Sequence, residues 1–351
     1  MPTPLRILIV SDGRPGHFNL SEGIAAALGR KRQTVMARLA VRRGRWPGRA
    51  AAWITRSGLP PRLVLQLIYG IGAETVPAAD VVVSAGAETM PASIAIARLR
   101  SIPNLHYGSL RQFRAKDFAL VLTSYAGNAG RPRHAFAAKP APFDPDTFGP
   151  PADPRRWPAG LPPTIGLAIG GDAAGCRFET ADWDALVTLI SGTATRHGVR
   201  WIVSNSRRTA PALSDRLATL AGEPESPIAQ FVDVRDPAAP RLWQVFGTAD
   251  AILVTADSSS MVSEGVFARR PVIALTPERL ALSADETAYR AALAGDGRLA
   301  TAAIRSLDAD RLAALLRTVT PYAGNPLDDL AALIAARVPQ LAPAHAGERP
   351  L

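Results

Sequence analysis

The sequence predicts an α/β protein made of two Rossmann-like domains facing a cleft, and two observations support this fold class. Short apolar runs typical of strands buried on both faces alternate with helical stretches along the 351 residues. The alternation stops in a proline-rich stretch and then restarts, so each half predicts its own parallel sheet. We expect a first domain over 1–130, a linker over 131–163, a second domain over 164–325, and a closing helix and tail over 326–351.

The first half opens with a continuous apolar strand, Leu5–Val10, followed by a glycine-containing turn and a helical run, His17–Leu28. Further strands are expected at Thr34–Leu39, Asp80–Ser84, Leu105–Tyr107 and Phe118–Thr123. The stretch 131–163 then holds ten prolines. Proline fixes φ and lacks an amide donor, so this stretch predicts an interdomain connection rather than a helix or a central strand.

The second half repeats the alternation of strand and helix. Strands are expected at Thr164–Ile169, Val199–Ser204, Gln230–Asp233, Ala251–Thr255 and Val272–Leu275. Helices are expected at Ala181–His197, Ala210–Ala221, Pro240–Thr248 and Ser258–Ala268. Two more helical runs, Leu307–Thr318 and Asp328–Val338, close the chain.

Composition excludes several classes of protein. With 47% hydrophobic and 20% charged residues, the chain is not wholly disordered. No segment reaches the roughly 18 uncharged apolar residues that a membrane-spanning helix needs. The single cysteine, Cys176, excludes a disulfide framework and a cysteine-based zinc site. The N-terminus runs almost at once into a strand, which disfavours a cleaved signal peptide, and we expect a cytoplasmic protein.

The positive charge is concentrated in one segment. The net charge is +10, from 40 basic and 30 acidic residues, and the segment 30–62 holds ten basic residues and no Asp or Glu. Arginine mixed with tryptophan and leucine is typical of a segment that lies on an anionic membrane surface. The expected membrane patch consists of Arg42, Arg43, Arg45, Trp46, Arg49 and Trp53.

Two other interpretations of the basic segment remain. It can be a solvated loop in an arginine-rich chain, or a nucleic-acid surface, although no basic-aromatic motif of a known nucleic-acid module is present. We expect no nucleic-acid partner. The membrane interpretation implies a peripheral protein at the inner face of the inner membrane.

The first candidate site is the loop after the first strand. Ligands of open α/β sheets bind beyond the carboxyl ends of the strands, where loops meet helices. Glycine lets this loop turn sharply and approach a ligand. It is rich in chemically capable groups, and an ordinary βα turn is the alternative; its members are Asp12, Gly13, Arg14, Gly16, His17 and Asn19.

Two further loops are candidates for binding phosphate. Gly170, Gly171, Asp172 and Arg177 follow the first strand of the second half, where paired glycines allow backbone amides to face a phosphate. A tight turn without ligand is the alternative there. A serine after another strand, Ser204, leads into a loop with two arginines that can counter phosphate charge; its other members are Ser206, Arg207 and Arg208.

The strongest candidate is the serine-rich helix start that follows a strand ending at Thr255. Three serines there offer more donors than one N-cap needs, and the positive end of a helix suits a diphosphate. Glu264 lies one turn further on, on the face of Ser260, where a carboxylate can accept both hydroxyls of a ribose. An ordinary N-cap with an exposed Glu is the alternative. The segment also contains Asp257, Ser258, Ser259 and Met261.

Missing motifs narrow the chemistry. The chain has no G-x-G-x-x-G after either leading strand, no P-loop and no G-x-S-x-G elbow, which disfavours dinucleotide enzymes, ordinary ATPases and serine hydrolases. It has no Tyr-x-x-x-Lys pair, so a short-chain dehydrogenase or sugar epimerase would lack its base. The three Asp-x-Asp pairs do not follow strands and the five histidines form no metal-ligand spacing, so we expect no metal and no cofactor.

Four segments together resemble a known family. SDGRPGHFNLSEG, IGGD, VSNSRRT and VTADSSSMVSEG occur in the order found in the mitochondrial fission ELM family and its bacterial relatives, which are regarded as GT-B-like glycosyltransferases. The last segment is also similar to the donor site of GT-B enzymes. This resemblance implies a nucleotide diphosphate at Ser258 and Ser259, a ribose at Glu264, and an acceptor-side loop at Gly13, Gly16 and His17. Here Asn19 is followed by Leu20, whereas the family pattern has Asn-Gln.

The resemblance and the loops together predict metal-independent transfer of a sugar from a nucleotide sugar to an envelope glycolipid, such as lipopolysaccharide, or a lipid-linked acceptor. Helix-end amides, Arg177 and Arg207 would stabilise the departing diphosphate. His17 or Asp12 would take the proton of the acceptor hydroxyl. Two alternatives are a non-catalytic scaffold or recruitment protein at a membrane surface, and a nucleotide-binding regulator.

Overall fold

The computed structural model describes residues 3–150, 152–157, 160–173 and 175–343. The chain divides into two compact units: unit 1 comprises the residues up to 144 and those from 326 onward, and unit 2 comprises residues 145–325. The boundary falls inside the proline-rich stretch 131–163. Its first part therefore belongs to unit 1 and its second part to unit 2, and the C-terminal helix returns to unit 1.

Unit 1 is built on a six-stranded parallel sheet in the order β2-β1-β3-β4-β5-β6. Its strands are β1 (Leu5–Ser11), β2 (Thr34–Ala40), β3 (Val81–Ala85), β4 (Asn104–Tyr107), β5 (Leu120–Thr123) and β6 (His134–Phe136). Its first five helices are α1 (Pro15–Leu28), α2 (Gly48–Arg56), α3 (Pro61–Tyr69), α4 (Met90–Arg100) and α5 (Ala126–Ala129).

The core of unit 1 follows from the apolar strands, because a parallel strand covered on both faces by helices must be apolar throughout. Leu8, Val10 and Val82 of the sheet pack against Val64 and Ile96 of the covering helices. The short edge strand β6 lies in the proline-rich stretch, at the side of the sheet where a missing amide donor costs least.

Unit 2 carries a second six-stranded parallel sheet, in the order β10-β9-β7-β11-β12-β14. Its strands are β7 (Thr164–Ala168), β9 (Arg200–Ser204), β10 (Ile228–Val232), β11 (Ala251–Thr255), β12 (Val272–Thr276) and β14 (Leu299–Ala303), and β8 (Cys176–Arg177) pairs separately with β13 (Arg279–Leu280). Its helices are α6 (Thr180–His197), α7 (Pro211–Ala221), α8 (Leu242–Thr248), α9 (Ser259–Phe267), α10 (Ala284–Gly295) and α11 (Ala309–Thr318).

The strand order of unit 2 is that of the Rossmann fold, and its core contains the fully buried Trp201. The indole N–H of Trp201 donates to Thr193 Oγ1 at 3.0 Å, which satisfies the one polar group that this large side chain buries. The last helix, α12 (Pro326–Arg337), packs on α1 in unit 1, where Arg30 forms a salt bridge with Asp328 at 2.8 Å.

The predicted fold class is confirmed: each half contains a doubly wound parallel sheet. Every predicted strand and helix is present, with ends shifted by one to a few residues. The sequence did not predict α2 to α5, α10, β6, β14 or the small β8–β13 pair. Among the described residues, no helix combines the length and the hydrophobicity needed to cross a bilayer.

Candidate functional site

Both sheets have a topological switch point, which is the place where the connections that follow two adjacent strands run to opposite faces of the sheet. In open α/β sheets ligands bind there, at the carboxyl ends of the strands. In unit 1 the switch point lies between β1 and β3, and in unit 2 it lies between β7 and β11. The predicted loops after β1, β7 and β11 therefore lie at these two points.

In unit 1, the loop after β1 brings Asp12 and His17 together. Asp12 Oδ2 lies 2.8 Å from His17 Nδ1, and the Asp12 side chain is only 1% exposed. An ionised carboxylate only accepts hydrogen bonds, so Nδ1 of a neutral His17 carries the proton and Nε2 keeps the basic lone pair. Asp12 Oδ1 also accepts from the backbone N–H of Arg14 at 3.1 Å. This pair has the arrangement of a carboxylate that orients a histidine base.

His17 is seated against the turn after β3. Gly86 has φ of +87°, and a side-chain carbon there would overlap the His17 ring. The predicted Gly13 also needs its glycine conformation, with φ of +79°. A cavity of about 330 Å³ lies beside them, and Arg14, His17 and Leu20 form part of its wall.

Two other predicted loop residues play less direct parts. Gly16 lies exposed in the first turn of α1, with no neighbour close to where a side chain would stand. Asn19 is half-buried in α1 and does not line the cavity, whereas Leu20 does. The cavity wall thus comes from the first two turns of α1, from the ends of the neighbouring strands and from the loops that follow them.

Sequence reasoning missed His106, at the end of β4. Its ring is completely buried, and burial together with the nearby His17 lowers the pKa of His106 to about 3, so the ring is neutral. Its Nδ1 lies 3.0 Å from Ser84 Oγ, and its Nε2 has no partner among the described residues. The rule that polar groups at strand ends mark a site would have found it, because His106 belongs to a predicted strand.

In unit 2, the predicted phosphate-binding glycines have a different role. The Gly170 N–H donates to Thr255 Oγ1 at 2.7 Å and the Gly171 N–H donates to Asp257 Oδ2 at 3.2 Å. A side-chain carbon at Gly170 would overlap Asp257, and one at Gly171 would overlap the Arg208 backbone. These two amides are already satisfied, so the glycines allow loops to meet closely rather than face a phosphate.

Asp257 is the centre of this contact between loops. Its side chain is fully buried, accepts from Thr255 Oγ1 at 2.7 Å, and pairs with the Arg208 guanidinium. Arg208 was expected to counter phosphate charge, and it neutralises Asp257 instead. Arg207 beside it is exposed and forms no ion pair with the residues that the structure describes.

The remaining members of the loop after β9 hold its shape. Ser204 is buried and donates to the Asn205 carbonyl at 3.2 Å. Ser206 Oγ accepts from the Arg208 N–H at 3.2 Å, while Thr209 Oγ1 donates to the Gly170 carbonyl at 2.6 Å. Ser204 and Ser206 therefore stabilise the loop that presents Arg207.

The serine-rich segment forms the N-terminus of α9, as predicted. Ser258 is the N-cap, and its Oγ accepts from the Met261 N–H at 3.4 Å. Ser259 Oγ donates to Glu286 Oε2 at 2.7 Å, and Ser260 is exposed at the second helical position. The first turn of a helix has amides without intrahelical acceptors, so this end is suited to an anion. Glu264 is half-buried one turn further on.

Helix α10 braces this end. Arg290 is buried, and it donates to Glu286 Oε1 at 2.9 Å and to the Ala256 carbonyl at 2.8 Å. Ser259, Glu286 and Arg290 therefore form a chain of contacts that fixes the start of α9. Sequence reasoning missed this support because Ser259 belongs to α9, whereas Glu286 and Arg290 belong to α10, a helix that was not predicted.

The loop after β7 ends in an exposed ion pair between Asp172 and Arg177, 2.7 Å apart. The Phe178 N–H and then Arg177 lower the pKa of Asp172. Cys176 lies between these two residues of the ion pair in the chain. Burial raises the pKa of its thiol to about 11, so this cysteine is not a thiolate nucleophile at neutral pH. Ala174, inside the predicted loop, lies outside the described residues.

The structure modifies the predicted membrane patch at two positions. The Trp46 ring is half-buried, and its indole N–H donates to the Leu67 carbonyl at 2.7 Å. Arg43 is 16% exposed and lies 3.7 Å from Glu88. Both were expected at the surface, and both are drawn inward because a polar partner is available there.

The other patch residues, Trp53 included, are exposed, and three exposed leucines that were not part of the predicted patch follow them in the chain. Trp53 on α2 is 68% exposed, and Leu63 and Leu67 on α3 are 47% and 48% exposed. We call this set the basic apolar face; it consists of Arg42, Arg45, Arg49, Trp53, Leu59, Leu63 and Leu67.

No group of three or more His, Cys, Asp or Glu side chains that could hold a metal ion is found within the described ranges. The absence of metal and cofactor remains a prediction.

Two doubly wound sheets, each with candidate loops at its switch point, define a two-Rossmann-domain protein with a GT-B-like fold. The chain belongs to the family described as Mitochondrial fission ELM1, whose sequence model matches residues 148–340, more than half of its length. The resemblance drawn from the four sequence segments is thereby confirmed.

Solved structures agree with this fold. The structure of S. aureus MnaA with UDP aligns with a TM-score of 0.53 at 12% identity, over 94% of this chain and 95% of that one. A protein from Listeria monocytogenes assigned as a UDP-N-acetylglucosamine 2-epimerase aligns with a TM-score of 0.54 at 11% identity, over 95% and 96%. At such identities the likeness concerns the fold alone. No curated protein matches the sequence significantly.

Proposed function

We propose that the protein is a glycosyltransferase that binds a nucleotide sugar at the switch point of unit 2. The observation that carries this proposal is the combination of an exposed helix N-terminus at Ser260 with the exposed Arg207 on the loop after β9, at the same edge of one sheet. Helix-end amides and a guanidinium together bind a diphosphate well. Glu264, on the face of Ser260, would accept the hydroxyls of the ribose.

The buried carboxylate of Asp257 precedes this helix end and would repel a diphosphate if its charge were not compensated. Arg208 pairs with Asp257, and Thr255 and Gly171 donate hydrogen bonds to it. Its negative charge is therefore neutralised within the loops. Arg207 then supplies the positive charge that is left for the ligand, and its contribution would fall as salt screens it.

In the proposed reaction the acceptor binds in the cavity of unit 1, next to His17. His17 Nε2 takes the proton of the acceptor hydroxyl, and Asp12 stabilises the imidazolium that forms. The acceptor oxygen forms the bond to the anomeric carbon while the bond from that carbon to the diphosphate breaks. The helix-end amides and Arg207 stabilise the charge that develops on the diphosphate, as preorganised donors do.

We also propose that the acceptor is a membrane lipid, such as an envelope glycolipid or a lipid-linked sugar, and that the basic apolar face of unit 1 lies on an anionic membrane. This face joins exposed arginines to exposed Trp53, Leu63 and Leu67, and the segment 30–62 contains no acidic residue. Buried apolar area and attraction to anionic lipids then act together. The location we propose is the cytoplasm, with the protein peripheral at the inner face of the inner membrane.

Titration calorimetry with nucleoside diphosphates tests the donor site. UDP and TDP are the first probes, with GDP, ADP and CDP beside them. Arg207→Ala should weaken binding about tenfold or more, because a hydrogen bond to a charged group contributes about 1.5–3 kcal/mol. Arg200→Ala is the matched control. Arg200 is also exposed, but it is the first residue of β9 and lies at the amino ends of the strands, away from the proposed site at their carboxyl ends. Equal effects of both variants, or no binding of any diphosphate, would refute the donor site.

Vesicle flotation tests the membrane proposal. The wild type should float with vesicles that contain anionic lipid and should not float when the vesicles are neutral. Replacing Trp53, Leu63 and Leu67 by Ser should abolish flotation. Phe136→Ser is the control, because Phe136 is 43% exposed on β6, at the opposite edge of the sheet from β2. Equal flotation with anionic and neutral vesicles, or flotation of the triple variant with anionic vesicles, would contradict the proposal.

A non-catalytic scaffold at the membrane is the second candidate, and the basic apolar face favours it equally. The two differ in turnover. The enzyme would release nucleoside diphosphate slowly from its donor sugar in the absence of acceptor and would lose this activity in Glu264→Ala, whereas a scaffold would show no release.

A further inference from the structure

The cavity of unit 1 is strongly basic. Three basic side chains from separate segments meet in its wall: Arg14 after β1, Arg111 after β4 and Lys139 after β6. The described residues that line it include no Asp or Glu. Asp12, just outside the wall, contacts two of the lining residues: its Oδ2 lies 2.8 Å from His17 Nδ1 and 3.9 Å from Arg14 Nε. A cavity of about 330 Å³ with this charge is suited to an anion.

The wall also contains a buried polar atom that has no partner. Ser84 Oγ lies 3.0 Å from His106 Nδ1 but 3.5 Å from the Leu105 carbonyl, which is the outer limit of a hydrogen bond. Ser84 therefore donates to Nδ1, and we assign the single proton of the neutral ring to Nε2. Buried donors are almost always satisfied, so this N–H indicates that an acceptor atom belongs beside it.

Hydroxyl donors and open turns complete the wall. Ser109, Ser124 and Tyr125 line the cavity. The two turns that bound it contain Gly86 and Gly108, with φ of +87° and +122°, conformations that bring backbone close to a ligand. Arg111 adopts φ of +49°, in the left-handed region that is uncommon for a residue with a side chain.

We propose that this cavity binds an oxyanion, a phosphate or carboxylate group, carried by the acceptor. The role of its bearer as acceptor rests on the proposed function; the oxyanion site itself stands on the cavity. Arg14, Arg111 and Lys139 would hold the charge, and the hydroxyl of the acceptor would then lie beside His17. The enzyme would thus select acidic acceptors over neutral sugars of the same size.

Histidine side-chain NMR on the full chain tests the site without donor or turnover. Inorganic phosphate and acetate are titrated separately at constant ionic strength, because salt screens such contacts. The signals of His17 and His106 should move and saturate, with a Kd of about 10 mM or below. Those of His134, outside the cavity wall, and of His197, in unit 2, should stay. Saturation by phosphate alone assigns a phosphate, and saturation by acetate alone assigns a carboxylate.

Two variants give the contrast. Lys139→Gln should weaken the response of His106 about tenfold, as loss of a charged hydrogen bond does. Lys116→Gln should leave it unchanged, because Lys116 is exposed away from the cavity. Unmoved signals of His134 and His197 would show that both variants fold. No saturable response of His106, or an equal loss in both variants, overturns the oxyanion site while leaving nucleoside diphosphate binding in unit 2 as a separate result.

Discussion

The Gly171 N–H donates to the fully buried Asp257 carboxylate at 3.2 Å, which joins the loop after β7 to the loop after β11. Thr255 donates to the same carboxylate, and Arg208 from the loop after β9 pairs with it. Three loops at the switch point of unit 2 therefore share one anchor. Because that anchor is charged and buried, the shape of the proposed donor site depends on its remaining intact.

Gly171→Ala should destabilise the protein by about 1–3 kcal/mol, because the new methyl group would overlap the Arg208 backbone rather than a movable side chain. Gly192→Ala in α6 is the matched control. Nothing lies within 4 Å of a side chain there, and exchanging a helical glycine for alanine should stabilise by about 0.5–1 kcal/mol. Urea unfolding of both variants measures the two values. A Gly171→Ala protein as stable as the wild type would show that the loops do not need this close approach.

Much of this region was predictable, because each buried strand is an apolar run and the polar residues that follow it lie at one edge of the sheet. The start of α9 could be predicted for the same reason, since Ser258 caps the helix directly after β11. The internal use of Gly170 and Gly171 could not. It depends on Thr255 and Asp257, about 85 residues away in sequence, and no local pattern encodes such a pairing.

Elements with mixed or arginine-rich sequence were harder to predict. Helix α2 has arginines near both ends, and its four buried residues include two alanines, a threonine and only one large apolar side chain, Ile54, which weakens the apolar signal. The opposite problem hid α4, where eight consecutive residues are buried and no amphipathic period exists. The cavity of unit 1 was missed because Arg111 and Lys139 follow different strands and meet only once the sheet has formed.

Gly86→Ala should lower sugar-transfer activity without removing any reactive group. The added methyl group would overlap the His17 ring, and the backbone φ of +87° would be strained, so His17 would be displaced. We expect a loss close to that of His17→Ala, about 10²–10⁴-fold in kcat. Release of nucleoside diphosphate from a nucleotide sugar, with water in place of the acceptor, measures it.

His197→Ala is the control for the His17 substitution, because His197 ends α6 in unit 2. Nucleoside diphosphate affinity should be equal in all these variants, because Gly86 and His17 lie in unit 1 and His197 is not part of the proposed donor site. Full activity of His17→Ala would remove that residue from the role of base.

The stability of unit 2 should fall in acid through Asp233. Arg235 is the main cause that lowers the pKa of this carboxyl from 3.8 to about 2, and Asn205 adds a hydrogen bond of 2.8 Å. A group whose pKa is lower in the folded state stabilises the fold above its unfolded pKa, and this stabilisation is lost as the pH falls from about 4 towards 2. Asp233→Asn should therefore be less stable at pH 7, and its stability should decline less steeply between pH 4 and 2.

Thermal unfolding at fixed ionic strength across that interval compares the two proteins. Asp308→Asn is a suitable comparison, because Asp308 caps α11 and its contribution should be that of an ordinary N-cap. Parallel curves for the wild type and Asp233→Asn would contradict the assignment of this acid sensitivity to Asp233.

Trp46 and Trp53 provide the sharpest contrast in the basic segment, since they are seven positions apart and have opposite surroundings. Trp46 donates its indole N–H to the Leu67 carbonyl at 2.7 Å, near the C-terminal end of α3, whereas Trp53 is 68% exposed. Trp46→Phe should cost about 1 kcal/mol of folding stability, because it leaves that carbonyl with a weaker set of partners. Trp53→Ser should leave stability within about 0.5 kcal/mol and should reduce binding to anionic vesicles instead.

Denaturant unfolding and vesicle flotation on both variants separate the two roles. If Trp46→Phe lost vesicle binding and kept its stability, Trp46 rather than Trp53 would contact the membrane, and the proposed membrane-facing surface would be wrong.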